Sequence, residues 1–456
     1  DVEGLTLTRA NLRRELNRSD ERYDIISIPP MGTFSGASAG TYNAGQSYMH
    51  TIQAFELYFS RLSEQGFLLL EDWVQNPPRY SIKLLLTAAE ALANKGYDVA
   101  DHLIMIRGWS TVVIIVSRKP VSREMTAEVR SFCESMQFDL VYVPGIKEEE
   151  TNRFNRLDTP LYYRAARDAA SSNRRSMIER GPLDYSPPTD TMPFFLHFLN
   201  PLRTTVLIRK FGLRWTVAIE YPFMLAVFLL VTVSAVSAVC VCIPAGIFKF
   251  IRRKSPPPEF GTAAGYFFFI GIAYLFMEFV AIQRAEFVFR DRSIAPALVI
   301  ILFLAASGAG SFASDRSWFS KRWIHICLLT IISVIGAGML FVFSSPAMLK
   351  FHWFVGTVWM GFLCVVPAFF MGFWFPSGVQ TLRGGELLPW AWAFNGCGSV
   401  LSMVLARLIS IEWGEHTTVL TAGFCYAIAL TCRRGLERNY RGKRCDIPHT
   451  FSEGSE

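Results

Sequence analysis

The first 200 residues alternate between short apolar runs and stretches with helical periodicity. Tyr23–Ile28 (YDIISI) is rich in β-branched residues and ends at two prolines, which is typical of a buried parallel strand followed by a loop. From His50 to Leu62 the apolar positions recur mainly at helical spacing, and Gly66 follows as a stop signal. Phe67–Leu70 (FLLL) is the next apolar run and predicts a second strand.

The same alternation continues with a helix over about Arg79–Ala93 and strands over His102–Ile106 and Thr111–Val116. Residues 107–110 are too few for a crossover helix, so the last two strands are predicted to form an antiparallel hairpin. The order strand, helix, strand, helix, strand, strand matches the second half of a doubly wound, Rossmann-like α/β sheet with a reversed final strand. Such sheets bind ligands outside the carboxyl ends of their strands.

A loop rich in Gly, Ser and Thr, Pro29–Gly45, leaves the carboxyl end of the first predicted strand. Its composition fits a mobile cover over a pocket and fits an ordinary flexible connection equally well. A nucleotide-binding sheet also needs a glycine-rich turn after its first strand and an acid about 20 residues later. Neither precedes Tyr23, and only Leu5–Thr8 could supply an earlier strand. We therefore expect the cofactor-binding half to lie upstream of Asp1, in a chain that is a fragment or processed product.

Long apolar runs fill the chain after about residue 214 and predict an all-α, multi-pass membrane bundle of about seven spans. The predicted spans cover residues 221–247, 262–282, 294–313, 323–343, 353–376, 390–411 and 417–432. The domain organisation follows: a partial α/β domain over 1–145, a helical and extended linker over 146–214, the membrane domain over 215–433 and a basic, then polar tail over 434–456. Gly308, Gly310 and Gly398 are predicted to mark helix contact faces, and two prolines a bend in the fifth span.

Composition agrees with a membrane protein. The chain is 51% hydrophobic and 18% charged, against roughly 25% charged in average soluble domains. The net charge is +7, and most of the basic residues lie beside the apolar spans, where topology signals and contacts with lipid headgroups occur. This placement argues against nucleic acid as a partner. The nine cysteines are scattered, and they show neither a disulfide framework nor a metal-ligand spacing.

Several stretches in a fixed order resemble one protein family. YDIISI, then SAGTYNAGQSYMHTIQAFELYFSRLSEQGFLLL, then HLIMIRGWSTVVIIV resemble spermidine-synthase-like, S-adenosylmethionine-dependent transferase domains that are fused to membrane helices in large bacterial proteins. YLFMEFVAIQR (274–284) and PWAWAFNGCGSVLSMVLA (389–406) resemble helices of that family. TDTMPFF (189–195) resembles its segment before the membrane, with Thr191 and Met192 where the family usually has a second acid and an arginine. The resemblance covers nearly the whole chain.

The resemblance implies a transferase that uses S-adenosylmethionine or decarboxylated S-adenosylmethionine on a small-molecule amine or a lipid-borne substrate. The related soluble enzymes place a catalytic aspartate, the base for the amine, just after the strand that begins Tyr-Asp. That position falls at Pro29 here, and the acidic position of the fused family falls at Gly32. Neither residue can take a proton, so the resemblance leaves the catalytic residue unknown and aminopropyl transfer by that mechanism in doubt.

The matched positions that we single out as candidate pocket residues are Asp24, Tyr48, Thr51, Arg107, Trp109 and Asp190. Each has a structural alternative. Asp24 at a strand start fits a turn or cap residue, and Tyr48 fits packing at a helix entrance. Arg107 and Trp109 could form a stacked cation and ring pair of structural value only.

Three polar residues inside the spans form a second candidate site: Glu278, Asn395 and Arg407. Such groups are costly at membrane depth and mark either a polar pathway or hydrogen bonds between helices. Two hypotheses for function therefore stand beside each other. One is a membrane-tethered transferase, and the other is a transporter or exporter whose α/β part is a sensor or scaffold without catalysis.

Orientation in the membrane is predicted less directly. If the α/β domain is cytoplasmic, seven crossings place the basic tail outside, against the positive-inside rule. Three arrangements would explain this conflict with the rule: one span does not cross the membrane, upstream helices set the topology, or the α/β domain faces away from the cytoplasm. Because the implied cofactor is made in the cytoplasm, we expect a bacterial inner-membrane protein with a cytoplasmic α/β domain.

Overall fold

The computed structural model describes residues 12–30, 47–171, 173–180, 183–199, 221–252, 257, 259–289, 294–316, 322–382 and 385–445. The chain divides into two compact units, Asp1–Met224 and Leu225–Glu456. Gly32, the possible strand Leu5–Thr8 and all but the first two residues of the Pro29–Gly45 loop lie outside the described residues.

The N-terminal unit alternates strands and helices as the apolar pattern predicts. Its elements in chain order are α1 (Leu12–Arg18), β1 (Tyr23–Ile28), α2 (Ile52–Ser60), β2 (Leu62–Trp73), α3 (Tyr80–Asn94), α4 (Val99–His102), β3 (Leu103–Arg107), β4 (Thr111–Ser117), α5 (Arg123–Met136), β5 (Asp139–Tyr142), α6 (Leu161–Ala170) and α7 (Arg174–Arg180). Four strands and the two long helices between them match predicted segments. The pattern did not predict the short edge strand β5.

The five strands form one mixed sheet in the order β1-β2-β4-β3-β5. β1 and β2 are parallel, with Ile25 opposite Phe67. β4 is antiparallel to both β2 and β3, which confirms the predicted hairpin. β1, β2 and β3 therefore share one direction, and their carboxyl ends meet at one edge of the sheet.

Strand β2 is longer than the apolar run that predicts it. It begins at Leu62, so α2 ends at Ser60 and Gly66 lies inside a strand. The interpretation of Gly66 as a helix stop is wrong. A Cβ at this position would lie 2.8 Å from the backbone oxygen of Tyr23, so glycine allows β1 and β2 to approach where their register shifts.

Helix α3 forms the centre of the core of this unit. Nearly all of its side chains are buried, Leu85, Leu86 and Ala89 among them. A helix that is apolar on all sides must be covered on all sides. Its contacts with α2, β2, β4 and α6 provide that cover.

The C-terminal unit is a helical bundle. Its helices are α8 (Tyr221–Arg252), α9 (Phe260–Phe289), α10 (Ile294–Ala313), α11 (Trp323–Met348), α12 (Trp353–Met371), α13 (Trp374–Thr381), α14 (Leu388–Trp413) and α15 (Glu415–Cys445). Among the described residues six helical segments are long and apolar enough to cross a membrane: 223–247, 260–289, 294–313, 323–348, 353–381 and 388–413. These helices support an integral membrane protein with several spans.

The seventh predicted span, 417–432, lies within α15, which is not among those six segments. The prediction of about seven spans is therefore one too high by length and composition. α15 nevertheless packs against α9, α11 and α14, and Val419, Ala422 and Tyr426 are buried.

Small residues allow the close helix contacts of the bundle. A Cβ at Gly310 would collide with the backbone oxygen of Phe369, and one at Gly398 with that of Phe268. Both predicted contact faces are confirmed. Gly308 has no atom within 4 Å of such a Cβ, so its assignment to a contact face is wrong. The predicted bend of the fifth span is the break between α12 and α13.

Candidate functional site

An acidic residue, Asp72, lies at the carboxyl end of β2, beside the end of the parallel strand β1. Side chains alternate between the two faces of a strand, so Leu68, Leu70 and Asp72 lie on the same face. All three are buried. The residue that continues the apolar face of β2 at the ligand-binding edge is thus a carboxylic acid.

Asp72 faces a cleft of about 260 Å³. Its walls include His50 from the segment before α2, Tyr80 at the start of α3, and Phe195 from the segment that follows Asp190. The cleft therefore combines a carboxylic acid and an imidazole with two aromatic rings. Glu71, the preceding residue of β2, also lines it.

Burial controls the charge of Asp72. It raises the pKa of this carboxyl from 3.8 to about 6, against the opposing effects of the Trp73 backbone N–H and the nearby Arg79 charge. Its Oδ2 is buried and has no hydrogen-bond partner in the described part of the chain. A carboxyl with a pKa near neutrality and an unused oxygen can accept and return a proton.

His50 is neutral at physiological pH, because burial lowers its pKa from 6.5 to about 4. Its Nδ1 lies 2.6 Å from Ser47 Oγ, and its ring centroid lies 4.7 Å from that of Phe195. Ser47 and Phe195 thus hold an uncharged imidazole in the wall of the cleft. Neutral imidazole is both a donor and an acceptor of hydrogen bonds.

Three of the predicted pocket residues meet at a different place, around Asp190. Its carboxylate accepts two hydrogen bonds from Arg13, at 2.7 and 2.8 Å, and one from Thr51 Oγ1 at 2.7 Å. Arg13 also donates to the backbone oxygen of Tyr48 at 3.0 Å. Asp190 and Arg13 are buried, so this cluster ties α1 and the start of α2 to the 183–199 segment. A carboxylate bonded in this way positions chain segments.

Arg107 and Trp109 have separate environments. Arg107 is buried and donates to Asp139 Oδ2 at 2.8 Å, and its guanidinium lies 5.6 Å from the ring centroid of Tyr162. The Trp109 side chain is 85% exposed. The stacked pair that we considered for Arg107 and Trp109 is therefore not formed, because Arg107 points into the unit from the end of β3.

The remaining predicted positions lie at the two ends of β1. Asp24 is exposed and accepts a hydrogen bond from Ser63 Oγ at 2.6 Å. Pro29 follows the strand, at the same edge of the sheet as Asp72. The resemblance expects a catalytic acid at the end of β1. Asp72 therefore lies at the end of the neighbouring strand, β2.

In the bundle, Asn395 donates from Nδ2 to the backbone oxygen of Phe267 at 3.2 Å, which is a hydrogen bond between helices. Glu278 is buried on α9, the helix that also carries Phe267. Arg407 is half-buried on α14.

Sequence reasoning missed two features of the structure. Glu71 and Asp72 directly follow the apolar run FLLL, and an acid pair at a strand end is the signal that could have revealed the cleft. The second feature is a fully buried ion pair between Arg284 Nε and Glu415, supported by Ser345 Oγ at 3.3 Å from Arg284 NH1. It joins α9, α11 and α15, and only a tertiary structure brings these residues together.

Comparison of the chain with protein families, with curated proteins and with solved structures gives no match in any of the three.

Proposed function

We propose that the N-terminal unit is the acceptor side of a membrane-bound transferase that uses S-adenosylmethionine or its decarboxylated form to alkylate an amine. The observation that carries this proposal is Asp72, a buried acid with an unused oxygen in a cleft at the carboxyl end of β2. In this proposal Asp72 replaces the base that Pro29 cannot provide. Nothing in the comparisons supports a named family, so the argument depends on the sheet and the cleft.

The strand order supports a Rossmann-like sheet. In the second half of a doubly wound sheet, successive parallel strands lie in sequence order on one side of the switch point. Here β1, β2 and β3 run in one direction, and the reversed β4 lies between β2 and β3. Among the described residues β1 pairs only with β2, and Ile25 on it is 60% exposed. An exposed apolar side chain on this edge strand supports our expectation that another part of the protein packs against β1.

The cleft fits a small cationic amine. Tyr80 and Phe195 offer aromatic rings to an ammonium group, and Asp72 offers a carboxylate.

When bound, the cofactor supplies an electrophilic carbon whose bond to sulfur breaks with its electron pair going to sulfur. The amine nitrogen forms the new bond to that carbon. Asp72 accepts the proton that the nitrogen loses, since only the neutral amine has a free electron pair. The neutral His50 adds a hydrogen-bonding group to the cleft without adding positive charge.

Full-length protein in detergent tests this proposal by calorimetric titration with each cofactor and by assays of alkyl transfer to diamines. We expect binding of one cofactor, and transfer that rises with pH as Asp72 ionises around pH 6. Asp72→Asn should lower kcat by about a hundredfold or more, whereas Glu71→Gln should retain activity. Absence of binding to both cofactors, or full activity of Asp72→Asn, would contradict the assignment.

A transporter is the second candidate, because Glu278 is a buried acid within a predicted membrane span. Buried acids in such helices often mark ion or proton pathways. Flux measurements in liposomes with Glu278→Gln would test this role, and Asn395→Ala serves as a control at a helix contact. Unchanged flux in Glu278→Gln would remove Glu278 as the transport site.

A further inference from the structure

A cleft with both apolar and polar walls lies at one end of the helical bundle. Its polar and tryptophan side chains are Ser314, Trp323, Trp374, Ser377, Gln380 and Arg433, and Ile326, Cys327 and Phe373 complete the lining. Ser314 directly follows the last residue of α10, Trp323 begins α11, and Gln380 lies in the last turn of α13. Ends of membrane helices lie at the depth of the lipid headgroups, where tryptophan is enriched.

Among the described residues that line this cleft Arg433 is the only cation, and its side chain is buried to more than nine-tenths. Its guanidinium lies 4.2 Å from the ring centroid of Trp323 and beside the phenol of Tyr266. Glu437 Oε1 is 3.6 Å from Arg433 Nε, too far for a hydrogen bond. Within the described part of the chain this buried Nε has no hydrogen-bond acceptor. A buried guanidinium with an unused donor is suited to a phosphate oxygen.

Negative groups accompany this arginine. Glu437 lies beside it, and Asp315 accepts a hydrogen bond at 2.9 Å from the Gln380 amide at the wall of the cleft. A ligand with negative charge alone would be repelled by these two carboxylates. A phosphate joined to an ammonium group matches one guanidinium flanked by two carboxylates.

We propose that this cleft binds the headgroup of a phosphoethanolamine phospholipid, with its phosphate on Arg433 and its ammonium towards Asp315 and Glu437. The lipid is the source of the headgroup because the cleft lies at the ends of apolar helices, where acyl chains can continue along the exposed bundle surface. This site is independent of the transferase proposal, since it lies wholly in the C-terminal unit.

Delipidated full-length protein in detergent, titrated with short-chain phospholipids, provides the test. Binding is measured by native mass spectrometry and by the shift of the unfolding temperature. Phosphatidylethanolamine should bind more tightly than phosphatidylglycerol, which lacks the ammonium, and than phosphatidylcholine, whose ammonium cannot donate. Arg433→Gln should weaken this binding by about tenfold or more. The exposed neighbour Arg434→Gln should change it by less than about twofold.

Ser377→Leu gives an independent variant that fills the cleft and keeps its charges. It should abolish the preference for phosphatidylethanolamine even if Arg433→Gln does not fold. Equal affinities for the three lipids, or unchanged binding in Ser377→Leu, would overturn the proposal. Free phosphoethanolamine that binds as tightly as the lipid would also overturn it, because the ligand would then be a soluble phosphate ester.

Discussion

Replacement of Asp72 by asparagine should stabilise the N-terminal unit, by an amount that depends on pH. Burial raises the pKa of this carboxyl from 3.8 to about 6, so the folded state retains a proton that the unfolded chain releases between these two values. Below about pH 4 the carboxyl is protonated in both states and contributes no penalty. Stability then falls as pH rises through about 6, and above that value the carboxyl is ionised in both states and the penalty is constant.

The size of this effect follows from the two pKa values. One pKa unit corresponds to about 1.4 kcal/mol, so a shift of about two units costs on the order of 3 kcal/mol above pH 7. Asp72→Asn removes this penalty. The pH dependence is the decisive quantity, because the asparagine amide has hydrogen-bonding requirements of its own that do not change with pH.

Cys133 provides the assay. It is buried, and it is the only cysteine before Cys240 in the sequence. The rate of its alkylation reports the fraction of molecules in which the N-terminal unit is open. The ratio of rates between wild type and Asp72→Asn at one pH cancels the thiolate fraction, and labelling of Cys133 is read by peptide mass spectrometry.

We expect Asp72→Asn to slow this labelling by on the order of tenfold at pH 5 and a hundredfold at pH 8. Glu71→Gln, a change at the adjacent and less buried residue, should leave the ratio near one at both values. A ratio for Asp72→Asn that is the same at pH 5 and pH 8 would refute the reasoning, because it would mean that Asp72 ionises equally in the folded and unfolded states.

Other predictions test the structural clusters. Asp139→Asn should destabilise the N-terminal unit by about 3–5 kcal/mol, because it leaves the buried guanidinium of Arg107 without its counter-charge; faster Cys133 labelling would show this. Asp190→Asn should lower the free energy of unfolding by about 2–3 kcal/mol and should expose α1 to tryptic cleavage within Leu12–Arg18. An unchanged digest would contradict the role of Asp190 in holding α1. Gly310→Ala should destabilise the bundle by about 1–3 kcal/mol in thermal unfolding in detergent, and the matched change Gly308→Ala should not.

The apolar pattern predicted four of the five described strands of the N-terminal unit but placed the end of β2 too early. The run FLLL ends at Leu70, so the predicted strand stopped before the two acids that follow it. Pairing with β4 continues the strand to Trp73, opposite Thr111, and places Asp72 on the buried face. A periodicity of apolar residues cannot detect a strand that ends in acids, because the stabilising partner lies on another strand.

The candidate residues also show why local spacing predicts sites poorly. Arg107 and Trp109 are neighbours in the sequence, but Arg107 ends a strand with its side chain in the interior, whereas Trp109 lies in the turn. Arg13 and Asp190 are distant in the sequence and form a bidentate ion pair. Pairs of this kind depend on how α1 and the 183–199 segment pack, and no pattern in either segment specifies the partner.

Three aspartates are buried in the described part of the N-terminal unit: Asp72, Asp139 and Asp190. Two of them accept hydrogen bonds from arginine together with backbone or hydroxyl donors. Asp72 alone of the three keeps a buried oxygen without a partner, and it alone faces a cleft. Burying a carboxyl without satisfying it costs folding free energy. This cost falls at the edge of the sheet where the parallel strands end, whereas Asp139 and Asp190 are each bonded to an arginine. It is the reason that we propose Asp72, and neither of the other two, as the base.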